Sequence, residues 1–181
     1  MTVFNGVVGL DLSITSTGIA RYDFESGGSV VTFVVGTDAK FGPIWERLYF
    51  SLNGILALVS KDDLVLVEGY AFGSKYNMAA LAELGGLVKF SIWRKTGRWP
   101  VIVTPHQLKK FAIGVGKGGK EDMKLAAYKH YRKEFATNDE CDAFFLARIG
   151  IVILDRAGPK TRAVEKAVAQ AVVKANDHFS R

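Results

Sequence analysis

The stretch that decides the fold is residues 6–23, which read GVVGLDLSITSTGIARYD. Its β-branched and leucine residues predict one strand near 6–12 and another near 17–23, joined by a short turn rich in hydroxyl side chains. A third strand is predicted near 30–36, after the glycine turn at 26–29. Because links this short join antiparallel neighbours, the chain opens with a predicted antiparallel meander.

The rest of the chain alternates between helical and strand patterns. Further strands are predicted at 63–68 and 100–104, where apolar residues run almost without interruption. Apolar residues at helical spacing, together with helix-start signals, predict helices at 43–60, 77–95, 105–111, 120–133, 137–154 and 161–175. This order predicts an α/β fold of the RNase H-like type, in which parallel strands extend the meander into a mixed five-stranded sheet flanked by helices.

The composition predicts one compact domain. The chain has 181 residues, 49% of them apolar, which is enough to bury a core. We expect residues 1–157 to form the domain and residues 158–181 to add an amphipathic helix that packs on it. The apolar stripe of that helix is Val164, Ala167, Val168, Ala171, Val172 and Ala175.

Membrane and disulfide-bonded classes are disfavoured. No apolar run approaches the roughly eighteen residues of a membrane span. Cys141 is the only cysteine, so no intrachain disulfide can form, and we expect it to be a small buried apolar residue. We therefore expect a cytoplasmic location without a membrane partner.

Four carboxylates stand out. Asp11 and Glu68 each end an apolar strand, and Asp139 and Asp142 lie three residues apart in a helix and share one face of it. Acids gathered from separate elements repel each other unless a cation neutralises them, and hard divalent cations prefer oxygen ligands. If the four carboxylates lie close together in the folded chain, they form a site for a magnesium-type cation. The alternative is that the strand-end acids are solvated and Asp139 complements the helix dipole.

Positive charge is concentrated in one quarter of the chain. Residues 89–133 contain twelve lysines and arginines but only Glu121 and Asp122 as acids. This pattern predicts binding to a polyanion, most plausibly nucleic acid, although a solvated surface is the alternative. The glycine-rich loop at 114–119, with Lys117 inside it and Lys120 after it, could let backbone amides approach a phosphate.

Five segments, in order, resemble RuvC-type Holliday junction resolvases. They are Gly9–Gly18, Val67–Phe72, Ala80–Val88, Pro105–Lys120 and Asp139–Ala143. One departure is Leu12-Ser13, where bacterial members typically carry Pro-Gly. That divergence would fit a phage or mobile-element relative, acting in the host cytoplasm.

The resemblance implies a crossover junction endonuclease that hydrolyses branched DNA in recombination and repair. It implies that Asp11, Glu68, Asp139 and Asp142 hold two Mg²⁺ ions, for which Mn²⁺ can substitute. It places Lys120 at the scissile phosphate, with Lys109, Lys110 and Lys117 as further DNA contacts. It also implies a homodimer paired through the helix around Met78–Lys95.

Tyr70 and Phe72 follow the second acidic strand and could stack on a base unpaired at the branch point. Ordinary core packing is the alternative for both. At the level of function three alternatives stay open: a nuclease of the same fold for flaps, forks or RNA–DNA hybrids, an actin-like nucleotide-binding ATPase fragment, and a DNA-binding protein without catalytic activity.

Overall fold

The structure is a computed structural model that describes residues 4–26, 30–38, 40–69 and 78–176. Its strands are β1 (Gly6–Asp11), β2 (Thr17–Asp23), β3 (Val31–Val35), β4 (Asp63–Glu68) and β5 (Val101–Val103). Its helices are α1 (Ile44–Ala57), α2 (Met78–Thr96), α3 (Pro105–Ile113), α4 (Lys120–Tyr131), α5 (Asn138–Ile153) and α6 (Ala163–Ala175). Each predicted element is present, with ends that differ by no more than a few residues.

The strands form one sheet in the order β3-β2-β1-β4-β5. The β1–β2 and β2–β3 pairs are antiparallel, whereas the β1–β4 and β4–β5 pairs are parallel. The predicted fold class, a mixed RNase H-like sheet built on an antiparallel meander, is therefore confirmed.

Both faces of the sheet are covered by helices. Along β1, Val8 and Leu10 pack with α1 and α2, while Val7 belongs to the core formed with α3, α4, α5 and α6. Successive side chains of a strand point to opposite faces, so an unbroken apolar run is what a strand covered on both sides requires. This explains why β1 and β4 have apolar residues at almost every position.

The last helix corrects one detail of the sequence analysis. Val168 and Val172 of α6 are buried as predicted, and α6 packs on α3, α5 and β5. However, the alanines of the predicted stripe are exposed, namely Ala167, Ala171 and Ala175. Glu165 and Ala169 are buried in their place. The buried Glu165 is paired with Arg162 at the start of α6.

Two further expectations concern single features. Cys141 is fully buried, and burial raises the pKa of its thiol to about 12, so it is the small buried residue that was expected. Within the described ranges, no helix is both long enough and apolar enough to cross a bilayer.

Candidate active site

Asp11 and Glu68 lie side by side at one edge of the sheet. Each is the last residue of its strand, and β1 and β4 are parallel neighbours in which Leu10 is paired with Val67. The carboxyl ends of parallel neighbours meet at the same edge, which is where open α/β sheets place their sites.

Strand alternation sets the direction of both acids. Leu64 and Leu66 belong to the core on the α5 side, as does Val7. Glu68 follows Leu66 by two residues and Asp11 follows Val7 by four, so both carboxylates are directed to the face that α5 covers.

The start of α5 is fixed by a capping box. The amide of Glu140 donates to Thr137 Oγ1 at 3.1 Å, and the amide of Thr137 donates to Glu140 Oε2 at 3.0 Å. Glu140 is also held by the hydroxyl of Thr32, which donates to Oε1 at 3.1 Å. Because these hydrogen bonds engage the carboxylate of Glu140, Asp139 and Asp142 are the acids in the first turns of α5 that remain available to a ligand.

Two glycines let α5 lie unusually close to the sheet. A Cβ atom on Gly18 would lie 2.0 Å from the carbonyl oxygen of Asp139, and one on Gly9 would lie 2.3 Å from that of Ala143. Gly18 is the β2 partner of Asp11, so this close approach brings the α5 acids to the end of β1. A glycine inside a strand signals such an approach of another backbone, a signal that the sequence analysis did not use.

Three of the four predicted carboxylates converge. One carboxylate oxygen from each of Asp11, Glu68 and Asp142 lies within 4.8 Å of the other two. Asp139 is not part of this tight group, yet its charge raises the pKa of both Asp11 and Asp142. The structure thus brings three acids together and places the fourth beside them.

The cluster resists ionisation. Burial, followed by the charges of Glu68, Asp142 and Asp139, raises the pKa of Asp11 well above its ordinary value. Burial and the charge of Asp142 raise the pKa of Glu68 to about 7. Burial and the charge of Asp139 raise the pKa of Asp142 to about 6. Acids crowded in this way favour either a shared proton or a bound cation.

Two of the predicted lysines face the cluster. Lys120 is the first residue of α4 and lowers the pKa of Asp142. Lys109, in α3, lowers the pKa of both Glu68 and Asp142, so its charge acts on two acids of the cluster. Lys110 and Lys117 are exposed on the neighbouring surface. Tyr70 and Phe72 lie outside the described residues.

The glycine-rich loop has internal structure of its own. Gly114 ends α3 in the left-handed conformation, with φ of 86°. The amide of Gly119 donates to Asp122 Oδ2 at 2.8 Å. That amide is therefore already engaged within the protein, and the lysines of this segment are better placed for phosphate contacts than the Gly119 amide is.

Comparisons with known proteins support the fold. RuvC of Thermus thermophilus matches with a TM-score of 0.64 and 18% identity, over 96% of this chain and 97% of that chain. The same protein in complex with a Holliday junction substrate matches with a TM-score of 0.65 and 20% identity, over 78% and 90%. The chain has the RuvC fold.

A third structure, the yeast mitochondrial Holliday junction resolvase Ydc2, matches with a TM-score of 0.48 and 13% identity, over 96% of this chain and 82% of that chain. No protein-family model and no curated protein matches the sequence. At these identities the likeness to RuvC concerns the fold, and a function has to be argued from the site.

Proposed function

We propose that this protein is a metal-dependent endonuclease that hydrolyses phosphodiester bonds in branched DNA, with four-way junctions as the preferred substrate. The observation that carries the proposal is the convergence of Asp11, Glu68 and Asp142 beside Lys109 and Lys120. A DNA-binding protein without catalytic activity has no need of three half-buried acids that repel each other.

The carboxylates fit a divalent cation. Their oxygens are the ligands that Mg²⁺ and Mn²⁺ prefer, and their mutual repulsion is the cost that a cation would remove. Asp11, Glu68 and Asp142 would hold the metal, and Asp139 would complete a site for two ions. Bound there, two Mg²⁺ ions would supply an activated water and charge stabilisation for an in-line displacement.

The lysines would position the substrate. Lys120 and Lys109 carry ammonium donors on the cluster side of α4 and α3, where they would bind the oxygens of the phosphate to be cleaved. Hydrolysis breaks the bond between phosphorus and the 3′ oxygen, and leaves a 5′-phosphate and a 3′-hydroxyl. Lys110 and Lys117 would contact neighbouring phosphates, which fixes register without reading sequence.

The choice of branched DNA rests on two supports. One is the segment-by-segment sequence resemblance, and the other is the shared fold with a protein whose structure is known in complex with a Holliday junction substrate. Stacking of Tyr70 and Phe72 on an unpaired base at the branch point is part of the proposal. Recombination or repair in the cytoplasm, which is the host cytoplasm if the chain is phage-encoded, is the process that such a substrate implies.

Asp11→Asn tests the proposal directly. We expect the variant to lose cleavage of a four-way junction in Mg²⁺, because it removes the acid that all three neighbours surround. We expect its junction affinity in EDTA to be unchanged or higher, since one negative charge is removed. Gel-based cleavage and binding assays on junction, fork, flap, duplex and RNA–DNA hybrid measure both.

Comparing cleavage of the five substrates distinguishes the proposed function from the alternative functions. Preference for forks, flaps or hybrids over junctions would assign the same chemistry to a different substrate. Cleavage by the parent protein in EDTA would refute the metal-dependent mechanism. Loss of binding together with cleavage in Asp11→Asn, accompanied by a lower melting temperature, would mean that Asp11 acts in folding.

We also propose a homodimer formed through α2. The helix exposes Leu87 by 44% and Phe90 by 53%, and a Cβ atom on Gly86 would meet open space. Gly86 costs about 1 kcal/mol of helix propensity that no contact with the described residues explains, and close approach of a second copy would explain it. Two active sites on a two-fold axis could then nick opposing strands.

Sedimentation velocity tests the dimer. Phe90→Glu should shift the protein to monomer, because it places a charge in the apolar interface. Leu125→Glu is the matched control, since Leu125 is 64% exposed on α4, across the sheet from α2. A monomeric parent protein, or dissociation by both variants, would contradict the proposal.

A further inference from the structure

A second polar site lies away from the carboxylates, where α4 ends, α5 passes and α6 begins. It is a cavity of about 200 Å³. Its lining residues are His130, Tyr131, Arg148, Ala157, Lys160, Thr161, Arg162 and Glu165. His130 follows Lys120 by ten residues of α4, so the cavity is about 15 Å along this helix from the active-site lysine.

The one acid among the described lining residues is Glu165, and it is already neutralised. Glu165 is 2% exposed and accepts from Arg162 Nε at 2.9 Å, with Arg162 Nη2 at 2.8 Å from the same oxygen. The hydroxyl of Tyr131 donates to that oxygen as well. Arg162 Nη2 also donates to the carbonyl oxygens of Phe111 and Ala112, at 2.7 and 3.0 Å. This network ties α6 to α3 and α4 and leaves no free negative charge.

Two cations of the cavity have no counter-ion among the described residues. Arg148 has its guanidinium carbon 4.7 Å from the centroid of the Tyr131 ring, and its buried Nε atom has no hydrogen-bond partner in the described part of the chain. Lys160 is exposed and makes no hydrogen bond or ion pair with the described part of the chain. The Arg148 guanidinium also forms a hydrogen bond with the Tyr131 side chain, which lowers the pKa of Tyr131. A buried charged N–H such as Nε is costly without an acceptor, and an oxygen of a bound ligand would supply one.

The side chains of Tyr131 and His130, which also line the cavity, are both uncharged at pH 7. Burial and the Glu165 hydrogen bond raise the pKa of Tyr131 to about 12, so the phenol keeps its proton. Burial and the charge of Arg162 lower the pKa of His130, which keeps this ring neutral at pH 7. Arg162 Nη1 lies 3.1 Å from His130 Nε2 and can only donate, so the proton of the ring is on Nδ1.

We propose that this cavity binds a phosphate-type oxyanion, held chiefly by Arg148 and Lys160. A guanidinium fork matches the oxygens of a phosphate, and the two uncompensated positive charges favour an anion over a cation or a neutral ligand. The volume accommodates a phosphate or a pyrophosphate group. The bound phosphate belongs either to a free phosphorylated compound or to the backbone of a DNA arm. A DNA arm would cover the distance along α4 between Lys120 and the cavity in roughly four base-pair steps.

Two variants and a matched control test the site. Lys160→Ala changes an exposed residue and should leave the fold intact, while Arg148→Gln removes a half-buried guanidinium and is checked for folding by circular dichroism. Lys40→Ala removes an equally exposed lysine from the loop before α1 and is the control.

The first measurement uses the full chain with inorganic phosphate and pyrophosphate. Calorimetric titration at constant ionic strength, with chloride as the balancing anion, should show binding to the parent protein and to Lys40→Ala. Lys160→Ala should bind about tenfold more weakly, as expected for the loss of one charge-assisted hydrogen bond. This outcome would identify a free phosphorylated ligand as sufficient.

The second measurement uses a DNA duplex in EDTA over a series of salt concentrations. If the phosphate comes from DNA, Lys160→Ala and Arg148→Gln should each reduce the slope of log affinity against log salt by about 0.9, and Lys40→Ala should not. This result supports the site even when free phosphate does not bind. Absence of phosphate binding, together with slopes equal to that of the control, would overturn the proposal and leave the cations as solvated surface charges.

Discussion

Asp142→Asn should stabilise the metal-free protein, and the effect should depend on pH. Asp142 lies in a cluster where burial and the charge of Asp139 raise its pKa from 3.8 to about 6. A raised pKa in the folded state means that protonation favours folding. The contribution to stability is fully present below the unfolded pKa, near 4, and is lost as the pH rises through 6.

The magnitude follows from the shift. A change of about two pKa units corresponds to about 3 kcal/mol of unfolding free energy at a pH well above 6. Glu68, whose pKa is raised to about 7, is coupled to Asp142 by charge, so the two contributions do not add. At pH 8 in EDTA we expect Asp142→Asn to exceed the parent by about 3 kcal/mol, which is roughly 6–12 °C in melting temperature. At pH 5 roughly half of this difference should remain, and it should disappear only as the pH falls below about 4.

Urea denaturation followed by far-UV circular dichroism, in EDTA at constant ionic strength, measures the difference. Glu134→Gln is the control, because it neutralises an exposed acid outside the cluster and should show no comparable pH-dependent gain. Added Mg²⁺ should stabilise the parent at pH 8 and should stabilise Asp142→Asn less. An Asp142→Asn variant that is no more stable than the parent at pH 8, or that gains equally at pH 5, would refute the account based on charge repulsion.

Two further predictions concern residues around the cluster. Lys120→Ala should slow junction cleavage about 100-fold, because one donor to the reacting phosphate is lost. Lys129→Ala, which changes an exposed lysine on the same helix, is the control and should cleave at the parent rate. Equal single-turnover rates for Lys120→Ala and the parent would remove Lys120 from the mechanism. Gly18→Ala should lower the unfolding free energy by about 2 kcal/mol and also reduce cleavage, because the new methyl group would lie 2.0 Å from the carbonyl oxygen of Asp139 and displace α5. Unchanged stability of Gly18→Ala would show that α5 can shift without cost.

Elements with a strong local signal were predictable from the sequence. The apolar runs of β1 and β4 are the pattern of strands covered on both faces, and both strands end at the predicted acids. The Thr137–Glu140 capping box, which fixes the start of α5, is a local signal of the same kind. These features depend on residues close in the chain, so they can be recognised before the tertiary structure is known.

Features that depend on packing between distant segments were not predictable in the same way. The sequence treated the four acids as equals, whereas the structure places Asp139 outside the tight group of three. The resemblance placed Lys120 at the scissile phosphate and Lys109 only among the further DNA contacts, yet the charge of Lys109 acts on two of the acids. The alanines of the predicted α6 stripe are exposed, because apolar periodicity does not anticipate a buried acid such as Glu165. The partners of that acid are Arg162 and Tyr131.

The balance of charge explains why the acids and a cation belong together. Burial and repulsion oppose the ionisation of Glu68 and Asp142, and Lys109 and Lys120 offset only part of that cost. A DNA phosphate brought to the same edge of the sheet would add negative charge and raise these pKa values further. Without a cation the protein should therefore hold DNA through its basic surface and not through the cluster. On the proposed function, the basic surface supplies most of the binding and cleavage requires the acids as well, so a substitution at Asp11 should abolish cleavage and spare binding.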